Sequence, residues 1–131
     1  MAIERLNPLE VSRPIGHYSH IASVPPGYSI LMLAGQVGAL ADGSFPVPIE
    51  EQFELAMKAC LDLLQSQGAS AADIVKVTYY LTERPEDFPR IRAAIVASFG
   101  DTPPAATYLV VAGLARPEIK VEIDVMAAVQ K

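Results

Sequence analysis

Apolar residues recur along this chain with two different periods. From Ile49 to Gln67 they fall at Phe53, Ala56, Met57, Cys60, Leu61 and Leu64, spacings of three and four that draw one stripe along a helix. Glu50 and Glu51 sit in its first turn, where the helix dipole favours negative charge, and Gly68 suits the position just beyond its end. A second helix buries Phe88, Ile91, Ile95 and Phe99 and ends at Gly100. It must start near Glu86 to Phe88, because Pro89 is tolerated only in a first turn. Elsewhere the period falls to two. Val75, Val77, Tyr79 and Leu81 alternate with Lys76, Thr78 and Tyr80 in a strand over 74–81. Ile119, Val121, Ile123 and Val125 alternate with Lys120, Glu122, Asp124 and Met126 in a last strand over 119–128. Further strands are expected at 3–6, 18–24, 28–36 and 105–112, with a loop or weak hairpin at 37–48 around the Asp42-Gly43 turn.

Strands, helix, strand, helix and two strands make an α+β order: a mixed β-sheet with two helices packed on one face. The other face is left without a cover. It carries Lys76, Tyr80, Glu122 and Asp124 among apolar neighbours, which suits contact with other subunits.

Composition sharpens this picture in three ways. The chain of 131 residues fits one domain over 1–131 and is long enough to bury a core without staples. Apolar residues make up 51%, a surplus that an oligomer interface would absorb. The net charge of −5 argues against nucleic acid as a partner, which normally requires a basic face, although a local patch stays open. The single cysteine, Cys60, fits a reducing, cytoplasmic setting. The start MAIERLNPLE lacks the apolar core of a signal peptide, and no apolar run approaches the roughly 20 residues that span a membrane.

Among candidate chemical groups, Glu122 stands first. It lies mid-strand between Val121 and Ile123, where burial would raise its pKa and suit acid–base work; the competing reading is an ion pair with Lys120 or Lys76. His17 and His20 bracket Tyr18-Ser19, but this spacing in an extended segment sends the two rings to opposite faces, so no metal is expected. Cys60 belongs to the apolar stripe and reads as core. Gly35-Gln36-Val37-Gly38 matches no phosphate loop and marks a close backbone approach. Arg90 and Arg92 read as solvated, with Arg92 near enough to the Phe88/Ile95 side to reach a cleft. The stretch TPPAATYLVVAG, 102–113, opens a strand sharply after two prolines and offers Ala105, Ala106 and Thr107 at its start.

The ordered segments RPIGHYSHI (13–21), LAGQ (33–36), EEQF (50–53), QGASAADIVKVTYYL (67–81), EDFPRIRAAIVASF (86–99), PPAAT (103–107) and KVEIDVMAAV (120–129) resemble the Rid family, also called the YjgF-like or liver perchloric-acid-soluble (L-PSP endoribonuclease) family. The resemblance implies a YjgF-like, chorismate-mutase-like subunit that assembles as a homotrimer around a barrel-like core, with clefts at the subunit interfaces. It implies hydrolysis of reactive enamines and imines to ammonia and a 2-keto acid, with no metal or organic cofactor. Position by position, Tyr18 matches a cleft tyrosine, Gly35 a cleft glycine and Glu122 the glutamate that positions water. Thr107 stands at a small hydroxyl position. The family arginine that grips a substrate carboxylate falls at Ala106. Ala34 replaces a serine, Tyr108 a common cysteine, and Arg92 a frequent asparagine. Arg92, then Arg116, are the candidates to replace the missing cation. The implied function is a divergent imine or enamine hydrolase with weak or no activity on 2-imino acids; the alternative is a non-catalytic trimer that binds a small molecule or a protein. Ribonuclease activity, also attached to the family, fits least, given the acidic balance and the lack of a paired histidine or basic groove.

Overall fold

A computed structural model describes residues 1–130. Its elements follow in the order β1 (Glu4–Leu6), β2 (Ile21–Ser23), β3 (Tyr28–Met32), β4 (Gln36–Val37), α1 (Ile49–Ser66), β5 (Ile74–Leu81), α2 (Phe88–Phe99), β6 (Ala105–Val110) and β7 (Val121–Gln130), with a 3-10 turn at Ala71–Asp73 before β5. Strands β3, β7, β5 and β6 lie side by side in that order, and β4 also pairs with β7. The β5–β6 pair is parallel and the β7 pairs are antiparallel, so the sheet is mixed. Both helices cover one face, as the alternation requires.

The stripe of α1 forms as expected: Phe53, Ala56, Cys60 and Leu64 are fully buried. The helix closes one residue earlier than expected. The Gly68 amide donates to Gln65 and the Ala69 amide to Leu64, a Schellman closure with Gly68 at φ 72°. In α2, Asp87 caps the Arg90 amide, and Arg90 reaches across to α1 with a two-pronged contact to Glu54 at 2.6 and 2.9 Å. Against these helices pack Val77, Tyr79 and Leu81 of β5 and Val121, Ile123 and Val125 of β7, all buried. One polar side chain is fully buried among them. Gln52 donates to the Pro46 and Glu118 carbonyls and accepts the Lys120 amide at 2.8 Å, tying the loop before α1 and the loop before β7 to the helix.

Four expected boundaries are corrected. The 18–24 strand is divided between two neighbours: only Ile21–Ser23 pair, with β1, while Ser19 bridges to Ala105 and is held by the Pro103 and Pro104 carbonyls. The 28–36 strand is broken. Met32 faces Met126 and Gln36 faces Ile123, so four steps on one side meet three on β7, and the extra residue makes a bulge at Leu33–Gly35. The last strand begins and ends two residues later than expected, because Gln52 captures Lys120 and Tyr28 pairs with Gln130. The 105–112 strand ends at Val110, although the Val111 amide still reaches the Leu81 carbonyl.

Candidate functional site

β alternation sorts the expected site residues onto opposite sides of the sheet. On β6, Ala106 pairs with Val77 and Tyr108 with Tyr79, both on the helix side, whereas Thr107 pairs with Thr78 on the open side. Glu122 pairs with Tyr80, also on the open side.

On the helix side, at the β6 edge, lies a cavity of about 300 Å³. Tyr18, Ala106, Tyr108 and Arg92 line it together with Phe88 and Tyr79. Tyr18 is positioned by its own loop: its amide donates to Gly16, and its hydroxyl accepts the Ile15 amide at 3.4 Å. His17 pins that loop to the end of α2 by donating from Nε2 to the Gly100 carbonyl at 2.7 Å, and His20 donates to Ser12. The two histidines are thus used separately. Among the described residues no three His, Cys, Asp or Glu side chains gather to hold a metal ion. Rings run in a row from the core to the mouth: Phe53 to Tyr79 at 5.3 Å, Tyr79 to Tyr108 at 6.0 Å, and Tyr108 to Phe88 at 6.1 Å, the last edge to face. The Tyr79 hydroxyl is buried with no hydrogen-bond partner, and burial, with Cys60 nearby, pushes its pKa up. Burial also raises the Tyr108 phenol, against the pull of Arg84.

On the open side, Gly35 and Glu122 meet. A Cβ at Gly35 would fall on the Glu122 carboxylate, so a larger residue there would push that side chain aside. Neither expected lysine pairs with Glu122. Lys76 donates to the Thr107 hydroxyl at 2.8 Å, and Lys120 reaches the Val47 carbonyl and, at 3.6 Å, Glu83. The half-buried Glu122 carboxylate has no hydrogen-bond or ion-pair partner among the described residues. Ala34 is exposed in the bulge, and its carbonyl accepts the Gln36 amide group.

Of the two candidate replacement cations, Arg92 lines the cavity and Arg116 does not: Arg116 pairs with Glu118 at 3.3 Å and lies over the Phe45 ring. Phe88, Tyr79 and Ile95 were expected only as core residues, yet they line the cavity. Within one chain Tyr18 and Glu122 lie on opposite sides of the sheet. One chain keeps them apart, because Ala106 and Tyr108 share the side away from Glu122.

The chain is thus a two-layer α+β domain with a small aromatic cavity at a sheet edge and an unpaired carboxylate on its bare face. The family model described as Endoribonuclease L-PSP matches residues 10–129, and the chain belongs to that family. A RutC family protein of Pyrococcus abyssi is 29% identical over 97% of this chain and 98% of its own length. Among solved structures, the Rid-family protein YyfB of Yersinia pestis is 25% identical, with a TM-score of 0.87 over 98% of this chain and all of its own. TdcF of E. coli, solved with bound serine, is 26% identical, with a TM-score of 0.69 over 89% of this chain and 91% of its own. No helix among the described residues is long and apolar enough to cross a membrane.

Proposed function

We propose that three copies of this chain associate through the open sheet face and hydrolyse a small imine or enamine in the clefts between them. Tyr18, Arg92, Ala106 and Tyr108 of one copy form one wall. Ala34, Gly35 and Glu122 of the next form the other, with Thr107 at the joint. The observation that carries this reading is the pairing of an unpartnered Glu122 carboxylate on one side with an apolar cavity on the other, which a single chain cannot bring together. Glu122 would hold the water that attacks the imine carbon and exchange the proton, while Tyr18 orients the nitrogen end. No metal or cofactor is required for that chemistry. The bound serine of TdcF supports a small amino-acid-like ligand for such clefts.

Ala106 sets the limit of this activity. A two-pronged arginine–carboxylate contact in a shielded site contributes about 2–4 kcal/mol, so its absence weakens binding of a 2-imino acid by about 30- to 1,000-fold. A second reading, ligand binding without turnover, is favoured by the neutral Ala34 and Ala106. Ammonia release over a panel of imines with and without a 2-carboxylate separates the two. Turnover of the second kind, lost in Glu122→Gln, is expected; no release from any imine by a folded protein would overturn hydrolysis. Ala106→Arg is expected to raise turnover of 2-imino acids, and Ala106→Arg with Arg92→Asn to raise it further.

A further inference from the structure

Tyr18 owes its place in the helix-side cavity to the residues on either side of it. The bonds within its own segment are local or long. Its phenol takes the Ile15 amide at 3.4 Å, its amide reaches only Gly16, and the His20 ring that meets it edge to face at 5.6 Å is itself tied back to Ser12. That segment also stands away from the core, with Leu9 96% and Ile15 97% exposed. The two neighbours reach further. His17 donates from Nε2 to the carbonyl of Gly100, the residue that caps α2, at 2.7 Å. The Ser19 hydroxyl donates to the Pro103 carbonyl at 2.6 Å and its amide to the Pro104 carbonyl at 2.9 Å, beside its bridge to Ala105. All three acceptors lie in the connection between α2 and β6, which leads directly into Ala106 and Tyr108. Tyr18 is thus held at both flanks by the segment that builds the rest of its cavity wall. The Ser19 tie is buried and part of the fold. The His17 tie is not: the side chain is half-buried and lies outside the core cluster. Residue 17 lines the aromatic cavity on one side and, on the other, a polar hollow of about 520 Å³ that Arg5, Asn7 and Asp101 also line. Its bond can therefore be removed without emptying the core.

We infer that His17 is a positioning residue for Tyr18: its hydrogen bond to the Gly100 carbonyl fixes how the phenol enters the cavity, and through it the orientation of the bound ligand. This rests on the reading above for the role of Tyr18, but not for the tie itself. The carbonyl can only accept, so the bond needs an N–H at the reach of Nε2. Glutamine carries one at about that reach and alanine carries none.

Two readouts on the full chain separate the tie from its use. In His17→Ala, hydrogen exchange at the Tyr18 and Ser19 amides is expected to quicken about two- to tenfold, the worth of one hydrogen bond, while the amides of β7 keep their rates. His17→Gln is expected to restore the parent rates. On whichever imine of the panel is turned over fastest, His17→Ala is expected to lower kcat about ten- to a hundredfold with KM within about twofold, and His17→Gln to recover most of the loss. Because His17 acts through Tyr18, adding His17→Ala to Tyr18→Phe should cost no more than about twofold beyond Tyr18→Phe alone. Unchanged exchange at Tyr18 and Ser19 in His17→Ala overturns the inference. So does a loss of turnover that glutamine fails to recover, or one that adds in full to that of Tyr18→Phe. Quickened exchange that glutamine restores, in a protein that hydrolyses no imine, would overturn hydrolysis and leave the tie standing.

Discussion

The two faces of the central sheet are made by alternate residues of the same strands, yet they are finished to different degrees. On the helix side Val77, Leu81, Val121 and Ile123 are fully buried. On the open side Met32 is 73% and Ile30 49% exposed, with Glu122 and Lys76 between such apolar neighbours. One chain supplies everything the first face needs. The second leaves apolar residues exposed around Glu122 and Lys76, and it is the face proposed above as the contact between copies. The difference separates stability from function: the residues that hold the fold and those expected to do chemistry alternate along β7.

That contrast is broken most strongly from the buried side. Phe53→Ala, which empties the space between α1 and β5, is expected to lower the unfolding free energy in urea by about 3–5 kcal/mol. Substitution on the bare face acts on assembly instead. Met32→Glu is expected to keep the far-ultraviolet circular dichroism of the parent while reducing the mass in solution, because a charge enters the proposed contact.

Alkaline pH probes the buried side more gently. Burial, then the charge of Asp124, pushes the Cys60 thiol up from the ordinary 9.0 to about 12, and Tyr79 is raised as well. Both groups are neutral in the folded state over a range where the unfolded chain ionises them. Their contribution is complete below the ordinary thiol pKa and declines as pH rises towards 12. Unfolding free energy measured from pH 8 to 11 should fall, and Cys60→Ala should flatten the slope while lowering stability throughout. The smallest expected effect runs the other way. Tyr79→Phe removes a buried hydroxyl without a partner and is expected to raise stability by about 1–2 kcal/mol.

The sequence was legible where one element buries one face. The stripe of α1 and the alternation of β5 and β7 located core and bare face without help from distant contacts. Where distant groups decide, it was silent. Nothing local to Tyr18–Val24 reveals that the Pro103 and Pro104 carbonyls hold Ser19 while β1 pairs the residues after it. Nothing in the 28–36 run counts the extra residue that bends Gly35 onto Glu122. Gln52 escaped notice because a polar residue in a helix reads as solvated until its two loops are known. In the candidate site, Tyr18, Ala106, Tyr108 and Arg92 line one cavity. The separation of Thr107 from Ala106 was available from strand alternation alone. Phe88 and Tyr79 were hidden because an aromatic that lines a cavity and one that fills a core have the same pattern.

The solution mass of the unmodified chain tests most directly whether the bare face is an interface that completes the cleft. Sedimentation equilibrium at micromolar concentration should give three times the chain mass of 14.0 kDa. A species of one chain mass would contradict it, leaving Glu122 with no facing cavity and the bare sheet face with no cover.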